Sequence, residues 1–206
     1  MINRVVFGGT VLPGCLPVPP SSPYYDSKIK CPARNIDRAK QLLQRSGLPS
    51  PVRVRLMIGT DQVNARLGQV IQSMAEPAGF KVELQPTEFV TALRRQDQGN
   101  YYSFAVGWSG RVDPDGNIYQ FVHSKGSLNN LGWSSPRMDL LLDNARKAST
   151  ATARKKLYAS AFGILRSQLP LIYLYHPVNR HVVSNTYKGV QLYGDGLIRA
   201  YYAELK

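Results

Sequence analysis

The chain has 206 residues, a net charge of +13 and a pI near 9.9, and 43% of its residues are hydrophobic. This is an ordinary globular composition, so the chain can bury a core. No apolar run reaches about 18 residues, which excludes a membrane-spanning helix. The basic residues are scattered along the sequence, and a solvated basic surface explains the charge better than a nucleic-acid site does.

A proline-rich segment occupies residues 10–34. Its six prolines exclude a regular helix or a central strand and predict an extended segment that wraps a surface. The only two cysteines of the chain, Cys15 and Cys31, lie in this segment outside any C-x-x-C spacing, so a metal or redox site is not expected. Their even number is compatible with one disulfide bond and equally with two free thiols.

Residues 36–107 alternate between helical and strand periodicity. Apolar spacing predicts helices over 36–46, 63–75 and 89–97, and strands over 52–58, 80–84 and 101–107. Asn35 is expected to cap the first of these helices and Thr87 the third, while Gly47 ends the first. Alternation of this kind predicts an α/β layer with crossover connections.

The remaining residues are mainly helical, then irregular. The pattern predicts helices over 117–123, from Ser135-Pro136 onwards and over 151–167, then a strand over 170–175 and strand-like pieces at 182–183 and 190–192. The three histidines show no metal-ligand spacing. Hydrolase, P-loop, zinc-protease and dinucleotide-binding motifs do not occur, so we do not expect an enzyme, a metal or a cofactor.

Several stretches together carry a family resemblance. They are FGG with the following PVPP and YYD near the start, SGLP at 46–49, AGFKVEL at 78–84, GWSGRVDPDGN at 107–117 and LPLIYLY at 169–175. In order and spacing they resemble the C-terminal part of the oligopeptide/dipeptide/nickel-type (family 5) solute-binding proteins of ABC importers. The resemblance covers essentially the whole chain.

This resemblance implies a fold and a division of the chain. The fold is α/β, the second lobe of a periplasmic-binding-protein-like two-lobe fold, with a mixed sheet flanked by helices. Residues 1–177 would form the second lobe, and residues 178–206 a tail that crosses back to a first lobe outside this chain. The signal peptide is expected in the same missing part.

The resemblance also implies a function without chemistry. It is the capture of a solute such as a peptide or an anionic peptide-like compound, and its delivery to the permease subunits of an ABC importer in the periplasm. The identity of the solute stays open. The alternative from another class is a basic nucleic-acid-binding domain, which the net charge alone suggests.

The candidate binding residues follow the third predicted strand. A loop at a strand end is where such a lobe presents ligand contacts, and Tyr173 and Tyr175 alternate in a later strand. The predicted ligand-binding residues are Trp108, Ser109, Gly110, Arg111, Tyr173 and Tyr175. Peptide-binding members often have an aspartate three residues after this tryptophan.

The residue at that place in this chain is Arg111, which departs from the peptide-binding pattern. An arginine prefers a carboxylate or a phosphate, so we expect Arg111 to face an anionic group of the solute. The alternative is a solvent-facing Arg111, or one held in a structural pair by Asp113 or Asp115. The two aspartates are expected to act in a turn and at a helix start.

Overall fold

The computed structural model describes residues 1–206 and divides into two compact units. The first unit comprises Met1–Thr10 and Lys30–Gly107, and the second Val11–Ile29 and Trp108–Lys206. In none of the helices do length and apolar character reach what a bilayer crossing requires.

The helices and strands are numbered in chain order. The helices are α1 (Ile2–Phe7), α2 (Ile36–Arg45), α3 (Gln62–Ala75), α4 (Phe89–Asp97), α5 (Asp115–Val122), α6 (Pro136–Lys147) and α7 (Ala151–Gln168). The strands are β1 (Leu12–Pro13), β2 (Val52–Ile58), β3 (Phe80–Pro86), β4 (Ser103–Ala105), β5 (Tyr175–His176), β6 (Tyr187–Lys188), β7 (Gln191–Leu192), β8 (Ile198–Arg199) and β9 (Glu204–Leu205).

The first unit is built on a parallel sheet in the order β3-β2-β4. From β2 the chain passes through α3 to β3, and α4 then carries it to β4 on the other side of β2. The second half of β2 is buried, as are Leu67 and Val70 on the inner face of α3. The α/β class is thereby confirmed, with parallel pairing in this sheet and antiparallel pairing in separate two-stranded sheets.

Two details of this unit differ from the sequence-based expectation. Glu88, not Thr87, caps α4, because the Glu88 carboxylate accepts the N–H groups of Val90 and Thr91 at 2.9 and 3.0 Å. Thr87 instead makes a hydrogen bond to strand β2, since its N–H donates to Ile58 O at 2.8 Å. The strand predicted over 101–107 shrinks to β4, whose last residue is paired with Ile58, the last residue of β2.

The core of the second unit joins the proline-rich segment to three helices. Its buried members are Leu16 and Val18 from that segment, Ile118 and Val122 from α5, Met138, Leu142 and Ala145 from α6, and Tyr158, Ala161, Phe162 and Leu165 from α7. Ser135 caps α6, since its hydroxyl accepts Met138 N–H at 3.3 Å, as Ser135-Pro136 predicted. The proline-rich segment therefore contributes to this core, but mainly through bends and turns and not as the extended segment that was expected.

Arg154 in α7 uses every donor nitrogen of its guanidinium within the second unit. It donates to both carboxylate oxygens of Asp113 at 2.6 and 2.8 Å, to the hydroxyls of Tyr24 and Tyr158 at 3.1 and 3.2 Å, and to Ala145 O at 3.1 Å. Its side chain is only 19% exposed. Burial raises the pKa of Tyr158 to about 12, so its hydroxyl stays protonated. One side chain thus links the proline-rich segment, the loop before α5, α6 and α7.

The last part of the chain contains less strand than predicted. Of the strand expected over 170–175 only Tyr175 is in β5, which continues to His176 and pairs with β1. The partner strand β1 is two residues long and ends in Pro13, which has no N–H to extend the hydrogen-bond ladder. The piece at 182–183 is not a strand, whereas 191–192 is, in the antiparallel pair β7-β8.

Neither cysteine is free, and both are disulfide-bonded, so Cys15 and Cys31 form the single bridge of the chain. A bridge that closes a loop of this length contributes about 3 kcal/mol in the chain-entropy model. We expect alkylation to add no mass before reduction and two alkyl groups after it, and reduction to lower the free energy of unfolding by that amount. Two alkylated cysteines in unreduced, oxidatively expressed protein would contradict the bridge.

Replacing Arg154 should destabilise the protein far more than replacing an exposed arginine. Arg154→Ala leaves several polar groups unpaired, and we expect a loss of about 3 kcal/mol of unfolding free energy. The matched control is Arg53→Ala, because Arg53 forms an exposed ion pair with Glu83 at 2.9 Å and should cost less than about 1 kcal/mol. Equal urea-denaturation midpoints for the two variants would refute the role given to Arg154.

His176 should make stability depend on pH. Its ring lies against Gly14, where a Cβ atom would come within 2.8 Å of it, and burial lowers its pKa despite a hydrogen bond with the Leu16 backbone. The unfolded chain therefore takes up a proton first, so stability is complete above about pH 6.5 and is lost as pH falls through the lowered pKa. His176→Gln should flatten this part of the stability profile. Parallel profiles for both proteins between pH 7.5 and pH 5 would show that His176 does not contribute.

Candidate functional site

The loop that precedes α5 is held in one conformation by the side-chain amide of Asn117. The amide oxygen accepts the N–H of Arg111 at 2.7 Å and the indole N–H of Trp108 at 3.2 Å. The amide nitrogen donates to Arg111 O at 2.6 Å. Asn117 is only 6% exposed, so these bonds form away from water and fix the loop backbone.

Trp108 offers an open aromatic surface on this loop. Its side chain is supported by an edge-to-face contact with Phe121 of α5, with ring centroids 5.0 Å apart at 80°. The residue is 41% exposed, so it is not a core tryptophan. Because its indole N–H already donates to Asn117, a ligand would meet the apolar ring of Trp108.

The guanidinium of Arg111 lies over this ring, with Cζ 4.8 Å from the ring centroid. Its Nη1 donates to Ser109 Oγ at 2.9 Å and to Gly110 O at 2.6 Å. Gly110 has φ +76°, a left-handed conformation that favours glycine. The structure therefore brings four of the six predicted residues into one local cluster, and we call Trp108–Arg111 the recognition loop.

Asp113 and Asp115 are paired with other arginines. Arg154 binds Asp113 through two hydrogen bonds, and Arg146 binds Asp115 through two more at 2.8 Å each. The Arg154 guanidinium keeps the pKa of Asp113 below its usual value. The alternative in which either aspartate holds Arg111 is therefore wrong. Their expected turn and helix-start roles are confirmed, since Asp113 accepts Asp115 N–H at 2.8 Å and Asp115 begins α5.

The two predicted tyrosines lie elsewhere in the second unit. Tyr173 packs against the apolar core, and burial raises the pKa of its hydroxyl, which has no hydrogen-bond partner. Tyr175 lies in β5 opposite Pro13. As ligand contacts, Tyr173 and Tyr175 stay predictions.

A second candidate surface, in the first unit, was missed by the sequence analysis. It is a small cleft of about 120 Å³ at the carboxyl ends of β2, β3 and β4. Its lining residues are Gly59, Asn64, Thr87, Phe89, Ala92, Phe104, Ala105, Val106 and Gly107. The sheet order places β2 between the two strands that follow it, and such a topological switch creates a crevice at the carboxyl ends. The predicted helix–strand alternation was the signal that could have pointed to this edge.

Polar and apolar groups both line the cleft, and Phe89 is exposed at its rim. A Cβ at Gly59 would lie 2.6 Å from Asn64 Nδ2, so a larger residue there would displace the Asn64 side chain. Asn64 in turn donates to Asp61, the residue that caps α3. None of its lining residues is charged, so the cleft suits an uncharged group more than a charged one.

Two further features concern metal ligands and the distribution of charge. No group of three or more His, Cys, Asp or Glu side chains is arranged to hold a metal. Basic residues outnumber acidic ones in both units, so the positive charge is not confined to one of them. This distribution adds nothing in favour of the nucleic-acid alternative.

The chain is similar to known solute-binding proteins. The oligopeptide-binding protein OppA of Bacillus subtilis is 24% identical over 206 residues, which represent 95% of this chain and 38% of that protein. The structure of HbpA2 from Haemophilus parasuis matches with a TM-score of 0.86 at 22% identity, over 100% of this chain and 42% of that one. DppA from Helicobacter pylori, solved with the peptide STSA, matches with a TM-score of 0.84 at 22% identity, over 98% and 41%.

The chain spans about 40% of the length of each of these proteins. A family model described as bacterial extracellular solute-binding proteins, family 5 Middle, matches residues 1–129, which is more than half of the chain and includes the recognition loop. The chain therefore belongs to the family 5 bacterial extracellular solute-binding proteins.

Proposed function

We propose that this chain is part of the solute-binding component of an ABC importer, which captures a peptide or peptide-like solute and delivers it to permease subunits. The recognition loop carries this proposal. It combines an open aromatic ring and a guanidinium on a backbone that a buried amide holds in place. Such a surface binds and orients a ligand, and neither the ring nor the guanidinium is a nucleophile or a general base.

A peptide-like solute suits the chemistry of both candidate surfaces. The Bacillus subtilis relative is named an oligopeptide-binding protein, and the Helicobacter pylori relative was solved with a peptide. A peptide carries a carboxylate that matches Arg111, and apolar side chains that match Trp108 or the cleft in the first unit. We therefore propose non-catalytic capture, with no cofactor and no metal.

We also propose that residues 1–177 form the second lobe of a longer protein and that residues 178–206 return to its first lobe. The tail supports this proposal, because many of its apolar side chains are exposed. These residues include Val182, Leu192, Leu197, Ile198, Tyr201, Tyr202 and Leu205. Contiguous exposed apolar surface usually marks a contact with another chain segment. The disulfide bond fits the proposed periplasmic location, since bridges persist in oxidising compartments.

The isolated chain should bind peptides only weakly. A two-lobe cleft buries most of its ligand, so one lobe makes only part of the contacts. We expect dissociation constants of roughly 1 mM, which correspond to about 4 kcal/mol of binding free energy. The chain has two tryptophans, so Trp133→Phe leaves Trp108 as the one indole reporter. Fluorescence titration of that variant with tri- and tetrapeptides measures the affinity.

Trp108→Ala removes the proposed aromatic contact together with the fluorescent reporter. Peptide binding to this variant is therefore measured by calorimetry. It should abolish the weak binding while the circular dichroism spectrum stays that of the parent. Sub-micromolar affinity of the isolated chain would contradict the second-lobe proposal. Absence of any peptide binding at concentrations of tens of millimolar, roughly tenfold above the expected constant, would contradict the proposed function itself.

A further inference from the structure

We infer that Arg111 binds a carboxylate group of the solute through the Nε–Nη2 edge of its guanidinium. This inference rests on the proposed function, because it assumes that the recognition loop meets the solute. It names the group that the loop selects, a planar carboxylate, and the two nitrogens that bind it.

The hydrogen bonds of Arg111 leave one edge of the guanidinium open. Both bonds within the loop, to Ser109 Oγ and Gly110 O, come from Nη1. Nε and Nη2 form none, and the ion pairs of the structure do not include Arg111. The residue is exposed, so a ligand can reach this edge. A guanidinium has five donors in a fixed fork, and two adjacent donors match one carboxylate.

The same edge binds a carboxylate elsewhere in the second unit. Arg146 donates from Nε to Asp115 Oδ1 and from Nη2 to Asp115 Oδ2, both at 2.8 Å. In addition, Arg146 lies over the ring of Tyr119, with Cζ 3.1 Å from the centroid. The Arg111 guanidinium also lies over an aromatic ring, that of Trp108, at the longer distance of 4.8 Å and without a carboxylate partner. The missing partner is what the solute would supply.

The carboxylates near Arg111 in sequence are unavailable to it. Asp113 is bound by Arg154, and Asp115 by Arg146, each with two hydrogen bonds. An arginine beside two aspartates would otherwise be neutralised by one of them. These pairings keep the positive charge of Arg111 uncompensated by any acidic side chain.

The side chain of Arg111 is also restrained before any ligand arrives. The ring of Trp108 lies against the guanidinium, and Nη1 is anchored to the loop. The backbone of α5 comes so close that a Cβ at Gly116 would lie 2.7 Å from Arg111 Cγ. A side chain with few accessible rotamers loses less entropy on binding, so this geometry favours recognition of a carboxylate. A lysine would keep the charge but offer no planar pair of donors.

Side-chain NMR of the nitrogen-15-labelled chain tests the inference. The probes are N-acetylglycine, its neutral counterpart N-acetylglycinamide, and inorganic phosphate. We expect N-acetylglycine to shift the Nε–H signal of Arg111 and the indole N–H signal of Trp108 at millimolar concentration, and the amide to leave both unchanged. Phosphate also matches a guanidinium fork, so it serves as the competing anion. We expect phosphate to bind more weakly than N-acetylglycine, because it has no apolar part to lie against the Trp108 ring beside the guanidinium.

Three variants complete the test. Arg111→Gln should remove the response of the Trp108 indole signal to N-acetylglycine, and Arg111→Lys should weaken it at least roughly tenfold. Arg137→Gln is the matched control, because Arg137 is an exposed arginine of α6, and it should leave the response unchanged. An unaltered response in Arg111→Gln, or equal affinity for N-acetylglycine and phosphate, would overturn the inference.

A further arm separates this inference from the proposed function. A tripeptide amide has no carboxylate but keeps the amide groups and side chains of a peptide. If it shifts the Trp108 signal as strongly as the free tripeptide does, the carboxylate inference fails and peptide binding stands. If neither shifts that signal, the proposed function fails together with the inference.

Discussion

The pairing of Arg154 with Asp113 is the interaction on which the second unit depends. Arg154 joins the loop before α5 to α6, α7 and the proline-rich segment through five hydrogen bonds. Apolar packing alone is not directional, whereas a guanidinium whose donors are all used allows one relative placement of its partners. This placement also occupies the carboxylate of Asp113, and so it determines which arginine near the recognition loop stays available.

Three arginines of the second unit therefore have different roles in spite of their common chemistry. Arg154 is mostly buried and fully bonded, Arg146 lies over Tyr119 and binds Asp115, and Arg111 lies over Trp108 with an open edge. The position of each arginine decides its role, because packing places Arg154 beside Asp113 and Arg146 beside Asp115. Neither carboxylate then binds Arg111. The recognition loop keeps its charge as a result. The proposed contact with a carboxylate of the solute uses this unpaired charge.

The recognition loop shows how a binding surface is kept rigid without lying in a helix or strand. Asn117 lies in the first turn of α5 and binds backward to Trp108 and Arg111, so the rigidity of the helix passes to the loop. A loop fixed in this way loses little conformational entropy when a ligand arrives. Nothing in the local sequence indicates this role of Asn117, because asparagine side chains near helix starts more often bond to adjacent backbone groups.

The sequence by itself determined the elements whose stabilising interactions are local. Helix periodicity and the cap Asn35 placed α2, α3 and α7 to within one or two residues, and Ser135 placed the start of α6. The strand β2 was placed without error. The order and spacing of several stretches, of which the one around Trp108 is one, indicated the family to which the chain belongs.

Only the tertiary structure decided the features that need a distant partner. The strand expected over 101–107 stops at Ala105 because its partner β2 ends at Ile58. Of the strand expected over 170–175 only Tyr175 lies opposite β1, which is two residues long. The partners of Asp113 and Asp115 lie 41 and 31 residues away along the chain, and the cleft at the carboxyl edge of the sheet combines residues from three strand ends. A strand forms only where a neighbouring strand pairs with it, and a carboxylate binds the arginine that packing places next to it. The spacing of residues along one segment specifies only interactions within that segment, so it cannot predict either kind of partner.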